Sequence, residues 1–584
     1  MGKIWRVSGP LIIADDMKGS QVYEIVEIGK EGIVGEIIGL ERNKAIIQAH
    51  EDTLGLKTGE TVRGTGKILS AELGPGLVGS IYDGLQKSLL TLVENTGSFI
   101  KRGAKAYALP RDKKWQFSPT AKVGDPVSEG DIIGTVPETN LIEHKIMVPA
   151  GIEGNIREIR KGDFTVEEPI AWVEHKNEVN ELKLMQEWPV RKPRPYKQRL
   201  DPSGLLTTGM RIIDYMFPLA LGGKAAMPGG FGTGKTVAQQ QLVRWAQTQL
   251  NIYIGCGERG NEMADVLHSF RKLKDPNTGR LLQEKEIFIA NTSNMPVVAR
   301  EASIFVGVTM GEYFRDMGYD ILLVADSTSR WAEAMREMGG RLEEMPGEEG
   351  FPSYMGSRLS SFYERAGMVN CLGSPKRKGS LTITGAVSPP GADFSEPVTQ
   401  STIRIVDALY ALDVSLANKR HFPAISWLTS YSLYVDAVMD WWDKNDPGWH
   451  NTRAIALRVL QQEAELEEIV RLVGPEALPE GDKLLLLVAK MIREDFLQQS
   501  AYHEVDTYCT PAKAGFMLKT IIRFYELSQE MLDSGTGIEN IRSSPMVYRI
   551  SRMKDIPNET FEQQIKELWL EMEKNLIVHK GGVS

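Results

Sequence analysis

Cysteine is nearly absent: Cys256, Cys371 and Cys509 are the only three in 584 residues. So few thiols, so widely scattered, exclude a disulfide-stapled secreted scaffold and suit a reducing cytoplasm. No metal-ligand spacing links them to the eight histidines. Long apolar runs are missing too; none approaches the roughly 20 residues needed to span a bilayer, so any membrane association is expected to run through partners. The amino-terminal Met-Gly-Lys-Ile-Trp-Arg has no apolar signal core, and Arg6 stands where a myristoylation motif wants Ser or Thr. Positive charge is not in excess, and a net charge of −9 argues against nucleic acid as the principal partner, since phosphate backbones are held by clustered Lys and Arg. What the chain has in ordinary measure is apolar (42%) and charged (25%) residues, enough for buried cores and against wholesale disorder. Its length calls for several domains.

The most informative stretch is 229–236, Gly-Gly-Phe-Gly-Thr-Gly-Lys-Thr, which fits G-x-x-x-x-G-K-[ST] at every position. Gly229, Gly230, Gly232 and Gly234, with Phe231 and Thr233 between them, allow successive backbone N–H groups to turn inward as an anion nest. Lys235 supplies a point charge to terminal phosphates, and the Thr236 hydroxyl is a ligand for Mg²⁺. An incidental match would lack context, but here an apolar segment at 219–227 precedes the loop. A stretch free of Gly and Pro, from Val237 to residue 250, follows it. The loop is therefore expected at a helix N-terminus, where the dipole favours phosphate.

In an open α/β sheet, ligands lie beyond the carboxyl ends of the strands. The apolar run 252–256 leads into Gly257-Glu258-Arg259-Gly260-Asn261-Glu262, and 319–325 leads into Asp326. Glu258 is placed to orient an attacking water and Arg259 to face developing charge. Asp326 has the position of an aspartate that holds Mg²⁺ through its water shell. Each has a plainer reading: Glu258 as a solvated loop acid, Asp326 as the cap of a helix over 327–338.

Taken in order, short β-rich runs separated by Gly, Asn and Asp turns at 1–70 predict an antiparallel barrel. A connecting segment at 71–110 carries a short helix between 84 and 99. The paired Gly-Asp turns of 111–185 predict an inserted all-β module, reminiscent of a lipoyl-type sandwich, with Lys145 an ordinary turn lysine rather than a modified carrier. Basic, proline-rich 186–200 reads as a solvated linker, so the module is expected as a semi-independent lobe. Strand-like runs alternating with helical stretches make 201–434 a phosphate-loop parallel-sheet domain, and helical periodicity at 453–473, 484–499 and 512–532 makes 435–584 a helical bundle.

The loop 228–236, the 257–262 run, Arg341-Leu-Glu-Glu-Met-Pro-Gly-Glu-Glu-Gly-Phe-Pro352 and Pro423-Ala-Ile-Ser-Trp-Leu-Thr-Ser-Tyr-Ser432 together resemble the catalytic A subunit of V-type and A-type rotary ATPases, nearly end to end. The resemblance implies ATP or ADP with Mg²⁺ as ligands and three such subunits alternating with three B subunits around a central stalk. A peripheral stalk and a membrane sector that moves H⁺ or Na⁺ complete the implied complex, which this cytoplasmic subunit would join without entering the membrane. It implies that Glu258 is the general base, that Lys235 and Arg259 contact phosphates, that Arg330 lies near the γ-phosphate and that Glu262 belongs to the acidic surround. It also implies an adenine pocket of Phe422, Phe496 and Tyr502, each otherwise read as a core aromatic, and an arginine donated by the neighbouring subunit. Two positions depart from the family: Gly230 replaces the usual Pro or Ala, and Ser426 stands where Asn or Asp is common. A non-catalytic ring subunit is disfavoured by the intact Lys235, Thr236, Glu258 and Asp326. A hexameric translocase or helicase is disfavoured by the acidic balance and the insertion.

Overall fold

Three apolar runs rich in β-branched residues become adjacent parallel strands: Glu286–Thr292, Leu250–Glu258 and Asp320–Asp326. Their continuous burial is the mark of a sheet covered on both faces. Ile81–Tyr82 extends this row beside Glu286–Thr292, and Lys378–Val387 extends it beside Asp320–Asp326. Gly367–Asn370 and Gln198–Leu200 add antiparallel edges. The helix Val297–Asp316 is buried on nearly every face, so its charged members need partners: Glu301 pairs with Arg191, Glu312 with Arg365, and Asp316 with Arg194 and Arg315.

The computed structural model describes residues 1–97, 103–104, 106–176, 178–274 and 279–577. The chain separates into two compact units: one from 1–201, 248–388 and 395–405, the other from 202–247, 389–394 and 406–584. The first contains the sheet above and a closed six-stranded barrel, from Gly2–Ser8 to Thr61–Ile68. Alternation of buried and open positions along Leu11–Asp15 and Glu24–Ile28 sends Ile12, Ala14, Val26 and Ile28 into the barrel core. The inserted module is two four-stranded antiparallel sheets. In the second unit Lys224–Pro228 pairs in parallel with Ala408–Leu409, which pairs antiparallel with Tyr431–Ser432. The helices Val435–Asn445, Trp449–Val473, Glu480–Met491 and Pro511–Asp533 then build the bundle. The expected fold class is therefore present: barrel, inserted β-module, phosphate-loop sheet and helical carboxyl-terminal part.

Several local expectations are corrected. The helix after the phosphate loop stops at Trp245, because the Gln247 N–H turns to the Thr207 carbonyl; Leu250 already begins a strand. The helix anticipated over 484–499 ends at Met491 and passes through a widened turn, Ile492–Leu497, into irregular chain. The short helix after residue 84 is Leu89–Thr96, begun by Ser88, whose hydroxyl accepts from the Thr91 N–H; residue 99 lies outside the described residues. Lys145 sits within strand Glu143–Met147, not in a turn, and its ammonium donates to the Met317 carbonyl at 2.8 Å.

The basic run is exposed over most of its length, as a linker would be, but two of its arginines are held down. Arg191 pairs with Glu36 and Glu301, and the Arg194 Nε donates to Asp316 at 2.7 Å. Buried carboxylates on Val297–Asp316 require these cations, since an unpaired charge taken from water costs several kcal/mol. Nor is the module a loose lobe: His144, fully buried, lies between Glu138 (2.6 Å) and the Tyr313 hydroxyl (2.8 Å), and Arg377 donates to the Gly130 carbonyl at 2.8 Å. Glu138 also accepts from the N–H groups of Gly76 and Val78.

Candidate nucleotide site

In the second unit, strand Lys224–Pro228 runs into the glycine loop and the loop into helix Lys235–Trp245. Gly232 and Gly234 take left-handed φ values of 78° and 83°, which residues with a Cβ adopt at a cost. Buried Thr233 braces the turn by donating to the Gly230 carbonyl at 2.8 Å. The Lys235 ammonium reaches over the loop to the carbonyls of Gly229 (2.6 Å) and Gly230 (2.9 Å), so its charge sits at the nest formed by the loop and the helix N-terminus. Thr236 and Val237 lie in the first helical turn. Phe231 projects from the tip, 88% exposed. At Gly230 an added Cβ would stand 3.0 Å from the Ala392 Cβ and 3.2 Å from Val414, so a side chain there would require these neighbours to give by a few tenths of an ångström. At Ser426 the hydroxyl accepts from the Thr429 N–H at 3.4 Å, a turn contact an Asn or Asp could equally make.

Beside the loop lies a mainly apolar cavity of about 470 Å³, lined by Gly232, Gly234, Val237, Phe422, Pro423 and Tyr502 among others. A Cβ on Gly234 would stand 3.5 Å from the Phe422 ring, so loop and ring share one wall. Phe422 is 39% and Tyr502 86% exposed. Phe496 is not in this wall. It is fully buried, edge-on to Tyr215 with centroids 5.8 Å apart, and Tyr215 in turn packs on Trp442 and Trp449. Its assignment to the base pocket is therefore corrected: the widened turn Ile492–Leu497 points this aromatic into the core, and the polar stretch after it lines the cavity. Gln498, Ser500 and Thr507 from that stretch, with Gln241, Arg420 and Lys554 from other parts of the second unit, also line it; they escaped the sequence reading because no motif marks them.

In the first unit the strand register sets Gly255 opposite Asp326 and Glu258 opposite Thr292, bringing the two acids to the carboxyl end of the sheet. Asp326 is buried and accepts from the Tyr253 hydroxyl at 3.1 Å. It does not cap the following helix, Thr328–Arg341, whose capping residue is Ser327. Glu258 is half-buried rather than a freely solvated acid. Burial, then the neighbouring charges of Asp326 and Glu262, push its carboxyl up to about 7, against a smaller pull downward from Arg330. Arg330 is held by Glu333 through two contacts of 2.8 and 2.9 Å. Arg259 stands exposed at the head of helix Gly260–Lys272, 4.0 Å from Glu262. Gly257, at φ 73°, admits no side chain: a Cβ would stand 2.8 Å from Arg330 and 3.0 Å from Arg300. Arg300, unmarked by any motif, donates to the Ser293 carbonyl at 3.1 Å, while the Ser293 N–H donates to the Glu258 carbonyl at 2.9 Å. Among the described residues no group of three His, Cys, Asp or Glu is placed to hold a metal, and no helix is long and apolar enough to cross a membrane.

A parallel sheet, a glycine loop ending in Lys-Thr at a helix N-terminus and strand-end acids define the class of phosphate-loop nucleotide-binding proteins. Comparison with known proteins narrows this. Residues 209–432 match the nucleotide-binding domain of the ATP synthase alpha/beta family, 4–66 its beta-barrel domain and 106–191 its barrel-sandwich domain. Residues 439–542 match the C-terminal domain of V and A type ATP synthases. The A subunit of the A-type ATP synthase from Staphylothermus marinus is 62% identical over 98% of this chain and 97% of its own length. The corresponding subunits from Thermococcus sibiricus and Methanopyrus kandleri are 59% and 57% identical, over 98% and 97% of this chain and 98% and 96% of theirs. Among solved structures, the assembled ATPase EscN of the enteropathogenic E. coli type III secretion system superposes with a TM-score of 0.63 at 21% identity, covering 89% of this chain and all of that one; this likeness is one of fold. The chain belongs to the ATP synthase alpha/beta family, within its branch of A subunits from A-type ATP synthases.

Proposed function

We propose that this chain is the catalytic subunit of a rotary ATPase, hydrolysing or synthesising ATP. The observation that carries the reading is chain-long identity to the A subunits of A-type ATP synthases combined with retention of Lys235, Thr236, Glu258 and Asp326. The loop amides and Lys235 bind the β- and γ-phosphates. The base seats in the apolar cavity between Phe422 and Tyr502. Glu258, with a carboxyl poised at about 7, orients the attacking water and takes its proton as the bond to the γ-phosphorus forms and the bridge to ADP breaks. Arg259 and Arg330 stabilise charge gathering on the transferred group.

The hard oxygen donors Thr236 and Asp326 fit Mg²⁺, and they would hold it with the phosphates. Bound Mg²⁺ would neutralise charge on the phosphate oxygens. The partners in this reading are B subunits alternating in a ring, a central stalk and a peripheral stalk, with membrane attachment only through an ion-translocating sector. The division at 1–70, 71–110, 111–185, 186–200, 201–434 and 435–584 belongs to the same reading, with the inserted module as a contact surface. The test is Glu258→Gln in the assembled ring: Mg·ATP binding persists and turnover is lost. Hydrolysis within about threefold of wild type would refute the assignment.

A further inference from the structure

The cavity walls that carry Phe422 and Tyr502 come from separate stretches of chain, and one buried polar group joins them. The Gln499 N–H donates to the Phe422 carbonyl at 2.8 Å. Its side-chain amide donates to the carbonyls of Gly209 (2.8 Å) and Asp506 (2.9 Å), and its Oε1 accepts from the Arg211 N–H at 2.9 Å. Arg211 is 1% exposed. Its guanidinium donates to the Phe496 carbonyl (2.6 Å), the Gln498 carbonyl (2.7 Å) and Asp506 Oδ1 (2.6 Å), while Asp506 Oδ2 accepts from the Ser500 N–H at 2.8 Å. Thr507 closes the set: its hydroxyl lies 2.9 Å from the Ala501 carbonyl and 3.1 Å from the side chain of Gln241, on the helix that starts at the phosphate loop.

Gly209 has its own support. Asp214 accepts from the N–H groups of Thr208 and Gly209, and at φ 73° a Cβ on Gly209 would strike the Tyr508 ring at 2.3 Å. Both amide protons of Gln499 are consumed inside the protein, so this residue cannot read a base edge with them. The bonds instead fix where the 498–506 stretch stands relative to Phe422. Charge-assisted, multidentate contacts of a guanidinium are the strong and directional ones.

We propose that Arg211, Gln499 and Asp506 are positioning residues that set the width of the base slot, and so determine how much of the binding of a purine nucleotide comes from its base rather than its phosphates. The proposal rests on the reading of the cavity as the base site. Arg211→Lys keeps the charge and loses the fork; Gln499→Leu keeps the bond from its own N–H to Phe422 and loses the side-chain clamp; Asp506→Asn keeps the shape and loses the charge. Binding of Mg·ATP and of Mg·tripolyphosphate to the full chain is compared by calorimetry, with the thermal transition as a check on folding.

In folded variants ATP affinity falls about tenfold, the scale of a displaced aromatic contact, and tripolyphosphate affinity is unchanged. If wild type prefers ATP over tripolyphosphate and the variants keep that preference, or lose both ligands equally, the positioning role is wrong. If wild type binds both equally, the base-site reading itself fails. Should none of the variants fold, hydrogen exchange on wild type decides: ATP, and not tripolyphosphate, slows the Arg211 and Gln499 amides, and equal protection by both overturns the proposal.

Discussion

Replacing Glu258 by Gln in the isolated chain should stabilise it, increasingly as pH rises from about 4.5 to about 7. The native carboxyl titrates near 7 rather than its ordinary 4.5, so ionising it in the folded protein carries a penalty that the unfolded chain does not feel. At about 1.4 kcal/mol per pH unit this sets a ceiling of about 3 kcal/mol. Glu258 is partly open to water, which screens a share of the penalty and leaves roughly 1–2 kcal/mol. The sign follows from the raised value: below about pH 4.5 the acid is protonated in both states and costs nothing. The penalty grows as pH rises and is complete above about 7. Gln carries no charge at any of these values. Scanning fluorimetry of wild type and Glu258→Gln from pH 5 to 8.5 should show transitions that nearly coincide at pH 5. The variant should melt about 2–4 °C higher at pH 8.5, on the scale of a large domain. A difference that does not change with pH, or a variant less stable at pH 8.5, would refute the picture of a carboxyl held up by burial, Asp326 and Glu262.

Lys235→Ala should weaken Mg·ATP binding and turnover together, in contrast to Glu258→Gln, because its ammonium acts in the ground state as well as in the transition state; an ATPase assay of the assembled ring with measured Kd separates the two patterns. Tyr502→Ala should raise KM by about 1–2 kcal/mol equivalent with little change in kcat. Phe496→Ala should instead lower the thermal transition through a loss of about 3–5 kcal/mol from the core around Tyr215, with nucleotide contacts spared; equal effects of the two variants on KM would place both rings in the slot. The isolated chain should hydrolyse ATP ~10³-fold or more below the assembled ring, for want of an arginine from its neighbour, and full turnover by a sample shown to be monomeric in sedimentation would contradict this.

What the amino-acid order settled unaided are features whose causes are local. The anion nest needs glycines at fixed spacing ahead of Lys235 and Thr236, and backbone freedom is a property of those residues themselves. A short apolar run ending in Asp326 or Glu258 is legible as a buried strand with an acid at its end, since strand burial is written in composition. Charge and burial of the same residues were not legible. Glu258 titrates near neutrality because the fold buries much of it and, after that, because Asp326, brought beside its strand by pairing, and Glu262 stand near it. Arg191 and Arg194, in a run with the composition of a solvated linker, are held down by Glu36, Glu301 and Asp316. Phe496 and Tyr502 are near neighbours in sequence and both aromatic; one fills the space beside Tyr215 and the other faces the cavity. Only tertiary packing separates them, because the side a ring takes depends on which distant residues have already filled the interior.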